Sequence, residues 1–177
     1  MKLYHGSTQI VKSPLVNFGR ENLDFGKGFY TTDLKEQAEK WMGRFVALGK
    51  KCFVNVYDFN NQDIEKKYRY KKFSEYNEEW LDFIISCRSG NKDYINYDII
   101  EGGIANDKVF NTIELYFANL IDKNTSLNRL KYEYPNNQIC FVNQSVLECV
   151  LHFIGFYEIG ISKWQRIKLY YKWNMLV

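Results

Sequence analysis

Four short apolar runs constrain the fold of this chain more than any other feature of its sequence. They are brief, rich in β-branched or aromatic residues and bounded by Gly, Asn or charged residues, which predicts strands at residues 2–4, 52–59, 97–101 and 138–142. Helical patterns lie between them, without strict alternation of strand and helix. This order predicts an α+β fold rather than a doubly wound parallel sheet.

The clearest helical pattern covers residues 34–48. Asp33 is placed to cap this helix, Glu36 completes a capping box three residues later, and Gly49 supplies the stop. Three further core-facing helices are predicted at residues 76–85, 109–120 and 146–153. In the first helix one apolar stripe is expected to face the core, formed by Leu34, Ala38, Trp41, Met42 and Phe45.

Composition favours one compact domain over residues 1–177, because 46% of the residues are hydrophobic and only 2 are Pro. No repeat or Ser/Gly linker marks a boundary between domains. The 24 Lys and Arg residues exceed the 21 Asp and Glu residues by only three charges. This balance excludes a strong overall field toward nucleic acid or membranes, so any such role requires a local patch.

Cysteine and histidine usage argues against a metal partner. Only two histidines are present, and no HExxH motif occurs. His152 falls in the apolar pattern of the last predicted helix and is expected to be structural. The N-terminus lacks an apolar signal core and no run approaches about 18 apolar residues, so we predict a cytoplasmic protein with no membrane partner. Four isolated cysteines are expected to be reduced and buried, namely Cys52, Cys87, Cys140 and Cys149.

Two glycine-containing segments combine an accessible backbone with polar or aromatic side chains. The first is Leu-Tyr-His-Gly-Ser at residues 3–7, where Gly6 lets a planar ligand approach the main chain and His5 offers a ring donor or acceptor. The second is Gly-Lys-Gly-Phe-Tyr-Thr-Thr at residues 26–32, where Phe29 and Tyr30 follow Gly28. Their rings could stack on a cationic heterocycle, and the two threonine hydroxyls precede the first helix.

Neither segment matches a common nucleotide motif. Asp24-Phe25-Gly26 copies the kinase magnesium triplet, but no catalytic loop or Gly-rich loop accompanies it. Gly26-Lys27-Gly28 lacks the Ser or Thr and the spaced Gly of a P-loop, and no dinucleotide fingerprint occurs elsewhere. Nucleotide binding therefore requires another architecture.

The two segments occur in a fixed order with the helix that carries Gln37-Ala38 and the apolar strand at residues 52–57. Together they resemble the NAD-binding half of ADP-ribosyltransferases of the diphtheria-toxin and poly(ADP-ribose) polymerase class. The segment Asn-Gln-Ile-Cys-Phe at residues 137–141 is similar to the strand that carries the catalytic acidic residue of that class. The resemblance implies a split β-sheet core with flanking helices.

The resemblance also implies a role for each matched residue. His5 would bind a ribose hydroxyl of NAD, Gly6 would hold the nicotinamide amide through its main chain, and Tyr30 would stack on the nicotinamide ring. His5, Tyr30 and Gln138 would form the catalytic set. The set that binds NAD, used as a substrate, would be His5, Gly6, Ser7, Gly28, Phe29, Tyr30, Thr31 and Thr32.

Gln138 departs from the usual pattern of the class, which has a Glu at this position. An amide accepts the same hydrogen bond from the ribose 2′-hydroxyl but contributes no charge, so elongation to a polymer is not expected. Glu101 and the pair Asn106-Asp107 lie at another strand-to-helix junction and are alternative sources of a carboxylate. Asp107 ranks first because a Gly-Gly-Ile-Ala-Asn-Asp turn exposes it, although Asp107 is also a good helix N-cap.

The function implied is that of a NAD-dependent mono-ADP-ribosyltransferase acting on a protein or nucleic-acid acceptor. By the same resemblance the chain is similar to small bacterial toxins, and the absence of a secretion signal favours a toxin whose partner is an antitoxin protein. The alternative is a non-catalytic module that binds NAD, ADP-ribose or nucleic acid. Two basic stretches interleaved with aromatic rings suit nucleic acid or a partner protein, one at residues 163–173 and one formed by Lys66, Lys67, Arg69, Lys71 and Lys72.

Overall fold

The mixed α+β fold predicted from the sequence is confirmed. A computed structural model describes residues 1–103, 107–130 and 137–160. The strands form a mixed sheet of order β4-β5-β6-β2-β1-β3-β7, in which β4 and β5 run parallel. The strands are β1 (Lys2–Ser7), β2 (Phe29–Thr32), β3 (Phe53–Phe59), β4 (Tyr70–Lys72), β5 (Ile99–Gly103), β6 (Asn137–Phe141) and β7 (Leu151–Glu158). The helices are α1 (Lys35–Ala47), α2 (Ile64–Lys67), α3 (Glu78–Arg88), α4 (Asp107–Phe117), α5 (Lys123–Leu130) and α6 (Gln144–Val150).

The chain divides into two compact units, each assembled from separate stretches. Unit 1 contains Met1–Pro14, Thr32–Phe59 and the strand β7. Unit 2 contains Leu15–Thr31 and Asn60–Val150. The division falls inside β2, so Phe29, Tyr30 and Thr31 belong to unit 2 and Thr32 belongs to unit 1. The assignment of residues 1–177 to one ADP-ribosyltransferase-like domain stays a prediction.

Unit 1 packs α1 against one face of the antiparallel strands β1, β3 and β7. The buried side of α1 is formed by Ala38, Met42 and Val46, which contact Cys52 and Val54. Small residues permit this close approach. An added Cβ on Gly6 would lie 2.6 Å from Met42 Cγ and 2.8 Å from the Ala38 carbonyl oxygen.

The first helix differs from its prediction in its start and its buried stripe. It begins at Lys35 with Leu34 as the N-cap residue, and no side-chain bond caps it from that residue. The Thr32 hydroxyl instead accepts a hydrogen bond from Leu34 N at 3.1 Å, a local turn that replaces the predicted capping box. Trp41 and Leu34 are exposed rather than buried, because the helix turns the small residues Ala38 and Gly43 toward the sheet.

Unit 2 has a core of large apolar side chains from α3, α4, β5 and the loop before β2. The predicted strand at residues 97–101 and the predicted helices at 76–85 and 109–120 correspond to β5, α3 and α4. Asn77 caps α3 by accepting a hydrogen bond from Trp80 N at 2.9 Å. The core residues include Phe25, Trp80, Leu81, Ile84, Ile100, Ile113 and Cys140.

The last helix ends before the end of its predicted range, residues 146–153. Helix α6 ends at Val150, and Leu151 begins strand β7 with no intervening turn residue. His152 therefore lies in a strand, opposite Asp58 of β3, and its side chain is exposed. Cys149 is exposed as well, so the prediction of four buried thiols is wrong for this residue and correct for the other three. Leu151 and Phe153 continue the apolar pattern of α6, so the sequence does not mark where the strand begins.

Candidate functional site

The first predicted site segment lies at the end of β1 in unit 1. Strand β1 pairs with β3 from Lys2 opposite Asp58 to Ser7 opposite Phe53. Side chains alternate across a strand, so His5 points to the face opposite the one on which Gly6 contacts α1. His5 is half-buried and pairs with Asn55 across the two strands.

Asn55 is a site residue that the sequence reasoning missed. Its side chain is fully buried, and its amide nitrogen donates to the His5 carbonyl oxygen at 3.4 Å and to the Gln9 carbonyl oxygen at 3.2 Å. Its amide oxygen accepts from Val11 N at 2.7 Å. One side chain thus fixes the backbone from His5 to Val11. A polar residue at a buried position of an otherwise apolar strand is the signal that identifies it.

The remaining predicted residues of unit 1 have contacts that stabilise local turns. Ser7 Oγ accepts from Gln9 N at 3.1 Å. The Thr32 hydroxyl accepts from Leu34 N, and Thr32 itself pairs with Tyr4 of β1. Gly6 is required by the close approach of α1. Its proposed role toward a planar ligand stays a prediction.

In unit 2, Gly28 brings the second segment directly against β6. An added Cβ at Gly28 would lie 2.5 Å from Cys140 Sγ and 2.6 Å from the Phe141 carbonyl oxygen. Phe29 is buried beside it. Only a residue without a side chain fits this contact, so Gly28 sets the position of the residues that follow it.

Tyr30 is fixed by a turn at the start of β2. Its hydroxyl donates to the Gly26 carbonyl oxygen at 2.5 Å and accepts from Phe25 N at 3.1 Å. Burial, followed by the neighbouring Cys140 thiol, raises the pKa of Tyr30 well above its ordinary value, so the phenol stays neutral. The ring is half-buried and its hydroxyl end is held by the backbone. The hydroxyl has a structural role, and the ring packs against the hydrophobic core of unit 2.

Gln138 lies on β6, the strand next to β2 in the sheet. Thr31 donates its hydroxyl to the Ile139 carbonyl oxygen at 3.2 Å, a contact that joins the two strands. Gln138 shares a sheet face with Cys140, which contacts Tyr30 and Gly28. Unit 2 therefore brings Gly28, Tyr30 and Gln138 to one face.

The Gln138 side chain is only 9% exposed. Within residues 1–103, 107–130 and 137–160, no hydrogen-bond partner is present for its amide. The amide atoms of Gln138 are not among the fully buried side-chain atoms that lack a partner, so the amide keeps contact with solvent. Gln138 is therefore a polar side chain of unit 2 that a ligand can reach.

Glu101 of β5 and Gln138 of β6 point to opposite faces of the sheet. Glu101 pairs with Ile139, whereas Gln138 pairs with Gly102, and neighbouring residues of a strand point to opposite faces. Its carboxylate forms an ion pair with Lys72 Nζ at 2.9 Å and accepts a hydrogen bond from the Tyr70 hydroxyl. Burial and this bond raise the pKa of Tyr70. Glu101 thus has a structural role in joining β4 to β5.

The second alternative carboxylate, Asp107, is the first residue of α4. Its side chain lies outside the part of the chain that the structure describes, as does all of Asn106. Both stay predictions from the sequence. The surroundings of Gln138 and Glu101 are defined.

The kinase-like triplet is a structural turn of unit 2. Asp24 Oδ1 accepts from Arg88 Nη2 at 2.7 Å, and Phe25 is fully buried. Gly26 has φ of +71°, and an added Cβ would lie 2.1 Å from the ring of Tyr94. A cavity of about 340 Å³ beside this turn is lined by Asp24, Arg88 and residues of α4. It contains none of the predicted site residues.

Comparison with known proteins adds one finding to this geometry. Residues 1–153 match the family described as a protein of unknown function, DUF3990. The chain belongs to the DUF3990 family. No curated protein and no solved structure matches it. The part of the chain that matches the DUF3990 family includes both predicted site segments and Gln138.

The basic stretch within the DUF3990 match is largely paired with carboxylates. Lys66 contacts Asp63 Oδ1 at 3.0 Å, and Lys71 contacts Glu79. Arg69 and Lys72 contact Asp98 and Glu101 at 2.7 and 2.9 Å. Four of its five cations therefore have an acidic neighbour, which weakens their attraction for phosphates. The second basic stretch, at residues 163–173, lies outside the described residues.

The described residues contain neither a membrane-spanning helix nor a cluster of metal ligands. None of its helices combines the length and the apolar character needed to cross a membrane. Over residues 1–103, 107–130 and 137–160, no group of three or more His, Cys, Asp or Glu side chains could hold a metal ion.

Proposed function

We propose that this protein is a NAD-dependent mono-ADP-ribosyltransferase. The observation that carries the proposal is the Gln138 amide, which keeps contact with solvent, makes no hydrogen bond to a described residue and shares a sheet face with Cys140, the neighbour of Tyr30. The resemblance of the two glycine-containing segments and of residues 137–141 to the toxin and polymerase class supports the choice of NAD. Membership of the DUF3990 family supplies no activity.

The reaction would exchange one bond at the anomeric carbon of the nicotinamide ribose. A nucleophile on the acceptor forms a bond to C1′ as the C1′–N bond to nicotinamide breaks. The bonding pair of electrons moves onto the ring nitrogen, so the cationic ring leaves as neutral nicotinamide, and the acceptor loses a proton to solvent. The sugar passes through an oxocarbenium-like centre, which a fixed dipole near the 2′-hydroxyl stabilises.

Each proposed role is assigned to one part of a side chain. The Gln138 amide oxygen would accept the hydrogen bond of the ribose 2′-hydroxyl, and the face of the Tyr30 ring would stack on nicotinamide. The ring of His5, whose backbone carbonyl is held by Asn55, would contact a ribose hydroxyl. A neutral amide at position 138 gives less charge stabilisation than a carboxylate, which favours slow transfer of a single unit.

The biological setting is part of the same proposal. We place the enzyme in the bacterial cytoplasm as a toxin held in check by an antitoxin protein, with a protein or nucleic-acid acceptor. The competing function is a module that binds NAD or ADP-ribose without turnover, and the neutral Gln138 favours it. A module that binds nucleic acid through residues 66–72 has less support because those cations are paired.

The deciding experiment measures nicotinamide release from NAD by the purified protein, with and without bacterial lysate. We expect release that depends on lysate, a loss of at least about tenfold in His5→Ala and Gln138→Leu, and an increase in Gln138→Glu, which adds the missing charge. Gln62→Leu, at an exposed position, is the matched control and should release nicotinamide at the normal rate.

Three outcomes would count against the enzyme. Equal release by His5→Ala and the unaltered protein would remove the assigned site. Release without lysate at an undiminished rate would indicate NAD hydrolysis. No release by any variant, together with NAD binding that Gln138→Leu abolishes, would establish the non-catalytic module.

A further inference from the structure

The cavity beside the Asp24 turn is a feature of unit 2 that the proposed activity does not use. Its volume of about 340 Å³ lies at the lower end of the range typical of sites for small molecules. We call it the α4 cavity. All of its lining residues belong to unit 2, and they include Asn22, Asp24, Arg88, Phe110, Glu114 and Phe117.

The charged lining of the α4 cavity has one more acid than its single cation neutralises. Asp24 Oδ1 accepts hydrogen bonds from Arg88 Nε at 2.9 Å and from Arg88 Nη2 at 2.7 Å. Glu114 Oε1 accepts from Arg88 Nη1 at 2.8 Å. Two carboxylates against one guanidinium give the lining a net charge of −1, in a chain whose net charge is +3. The cavity therefore favours a cation.

Each of the two carboxylates keeps one oxygen that a ligand can use. In the part of the chain that the structure describes, no donor bonds to Asp24 Oδ2 or to Glu114 Oε2. The Asp24 side chain is 15% exposed, and its Oδ2 is not among the fully buried atoms that lack a partner. The Glu114 side chain is 52% exposed. An N–H group of a ligand would form a charge-assisted hydrogen bond with either oxygen.

Arg88 does not make the α4 cavity a site for anions. All three nitrogens of its guanidinium group already donate to carboxylates. A phosphate or carboxylate that approached Arg88 would meet the charges of Asp24 and Glu114 at the same place. The cavity therefore differs in its chemistry from a site for the diphosphate of NAD.

Two aromatic rings of α4 form an apolar wall of the α4 cavity. Phe110, Glu114 and Phe117 follow one another at intervals of four and three residues, which places them on one face of the helix. The Arg88 guanidinium lies 5.0 Å from the centre of the Phe110 ring. Phe117 is 46% exposed, and among the described residues no cation lies over its ring. The face of a Phe ring attracts a cation as well as an apolar group.

We propose that the α4 cavity binds a small organic cation, an ammonium or guanidinium group on a short apolar stem. The cationic group would donate hydrogen bonds to the unused oxygens of Asp24 and Glu114, and the stem would pack against Phe117. One positive charge on the ligand would balance the net charge of the lining. This site uses none of the residues assigned to NAD and does not depend on the proposed transferase activity.

Binding of three compounds of similar size to the full chain tests the proposal. Benzylamine is a cation, benzyl alcohol is neutral and benzoate is an anion. We expect isothermal titration calorimetry to show that benzylamine binds at least about tenfold more tightly than benzyl alcohol, and that benzoate does not bind. Butylamine and butylguanidine then identify which of the two cationic groups binds more tightly.

Two variants locate the binding in the α4 cavity. Glu114→Gln keeps the shape of the side chain but removes the excess charge, and should weaken benzylamine binding by about tenfold. The same substitution at an exposed position of α6, Glu148→Gln, is the matched control and should leave binding unchanged. Phe117→Leu should weaken binding by about threefold, whereas Phe18→Leu, at an exposed position outside the cavity, should not.

Thermal melts check that each variant folds, and the comparison of compounds decides the proposal on the unaltered protein even where a variant does not. Equal binding of benzylamine and benzyl alcohol, or a preference for benzoate, would overturn the proposal. Absence of binding by every cation at millimolar concentration would overturn it as well. Unchanged benzylamine binding in folded Glu114→Gln would have the same consequence, because the cation would then bind elsewhere.

Discussion

Each unit contains a buried polar side chain that anchors the backbone, and the two side chains differ in charge. Asn55 in unit 1 is a neutral amide that donates to two carbonyl oxygens and accepts from Val11 N. Asp98 in unit 2 accepts from Arg69 N at 3.0 Å and from Asn143 Nδ2 at 2.9 Å, and forms an ion pair with the Arg69 side chain. An amide holds backbone donors and acceptors alike, whereas a carboxylate holds donors only and recruits a cation.

An amide can therefore hold the backbone beside a predicted site residue, here His5, without adding a charge. The amide fixes the chain from His5 to Val11 and leaves the electrostatics around His5 unchanged. The carboxylate joins Arg69, before β4, to Asn143, after β6, where none of the predicted site residues lies. The two anchors should therefore respond differently to substitution and to pH.

The largest effect is expected for Asn55→Leu, which removes three hydrogen bonds at a fully buried position. Backbone groups of His5, Gln9 and Val11 would lose their partner, so we expect the free energy of unfolding to fall by about 4 kcal/mol. Urea unfolding followed by circular dichroism measures the change. The exposed Asn60→Ala is the control and should change it by under about 0.5 kcal/mol.

A loss for Asn55→Leu as small as that of the control would show that water replaces the amide at these backbone groups. The anchor of unit 1 would then be dispensable. In that case the comparison between the two units would no longer hold.

A smaller, pH-dependent effect is expected for Asp98→Asn. The hydrogen bond from the Arg69 side chain is the main cause that lowers the pKa of Asp98 below its ordinary value of 3.8. A lowered folded-state pKa means that the carboxylate stabilises the fold above pH 3.8, and that this contribution disappears as the pH falls through the folded-state pKa. The free energies of unfolding of the protein and of Asp98→Asn should therefore differ at pH 7 and converge as the pH falls below the folded-state pKa of Asp98.

The matching measurement on unit 1 sharpens this contrast. Because Asn55 does not titrate, the unfolding free energy lost in Asn55→Leu should be the same at pH 7 and at acidic pH. A loss in Asp98→Asn that is equally independent of pH would assign the role of Asp98 to hydrogen bonding alone.

The parts of the fold that could be predicted are those whose local pattern agrees with their packing. Strands β1, β3, β5 and β6 are brief apolar runs, and α3 and α4 have a clear apolar period, so sequence and structure agree. Strand β7 follows α6 without a break, so no turn residue in the sequence marks the boundary between them. Trp41 was expected in the core because size and apolarity suggest burial, but small residues determine which side of α1 meets the sheet.

For the candidate site, the sequence predicts which residue types take part but not their hydrogen-bond partners. The sequence identifies His5, Tyr30 and Gln138 as polar or aromatic groups in a suggestive order. It does not reveal that the Tyr30 hydroxyl is held by Gly26 and Phe25, or that Asn55 holds the carbonyl of His5. These contacts join residues that only the tertiary fold brings together. A single sequence contains no signal for such pairs.

The smallest changes in unfolding free energy are expected for two polar side chains of unit 2. Thr31 forms a hydrogen bond within the fold, whereas Gln138 is proposed to bind a ligand. Thr31→Val removes the hydrogen bond from the hydroxyl to the Ile139 carbonyl oxygen and should cost about 1 kcal/mol of unfolding free energy. Gln138→Leu, on the adjacent strand, removes no bond to a described residue and should change stability by under about 0.5 kcal/mol. Urea unfolding of both variants under one set of conditions provides the comparison. A loss for Gln138→Leu equal to or above that of Thr31→Val would make the amide part of the fold, and the proposed function would lose the observation that carries it.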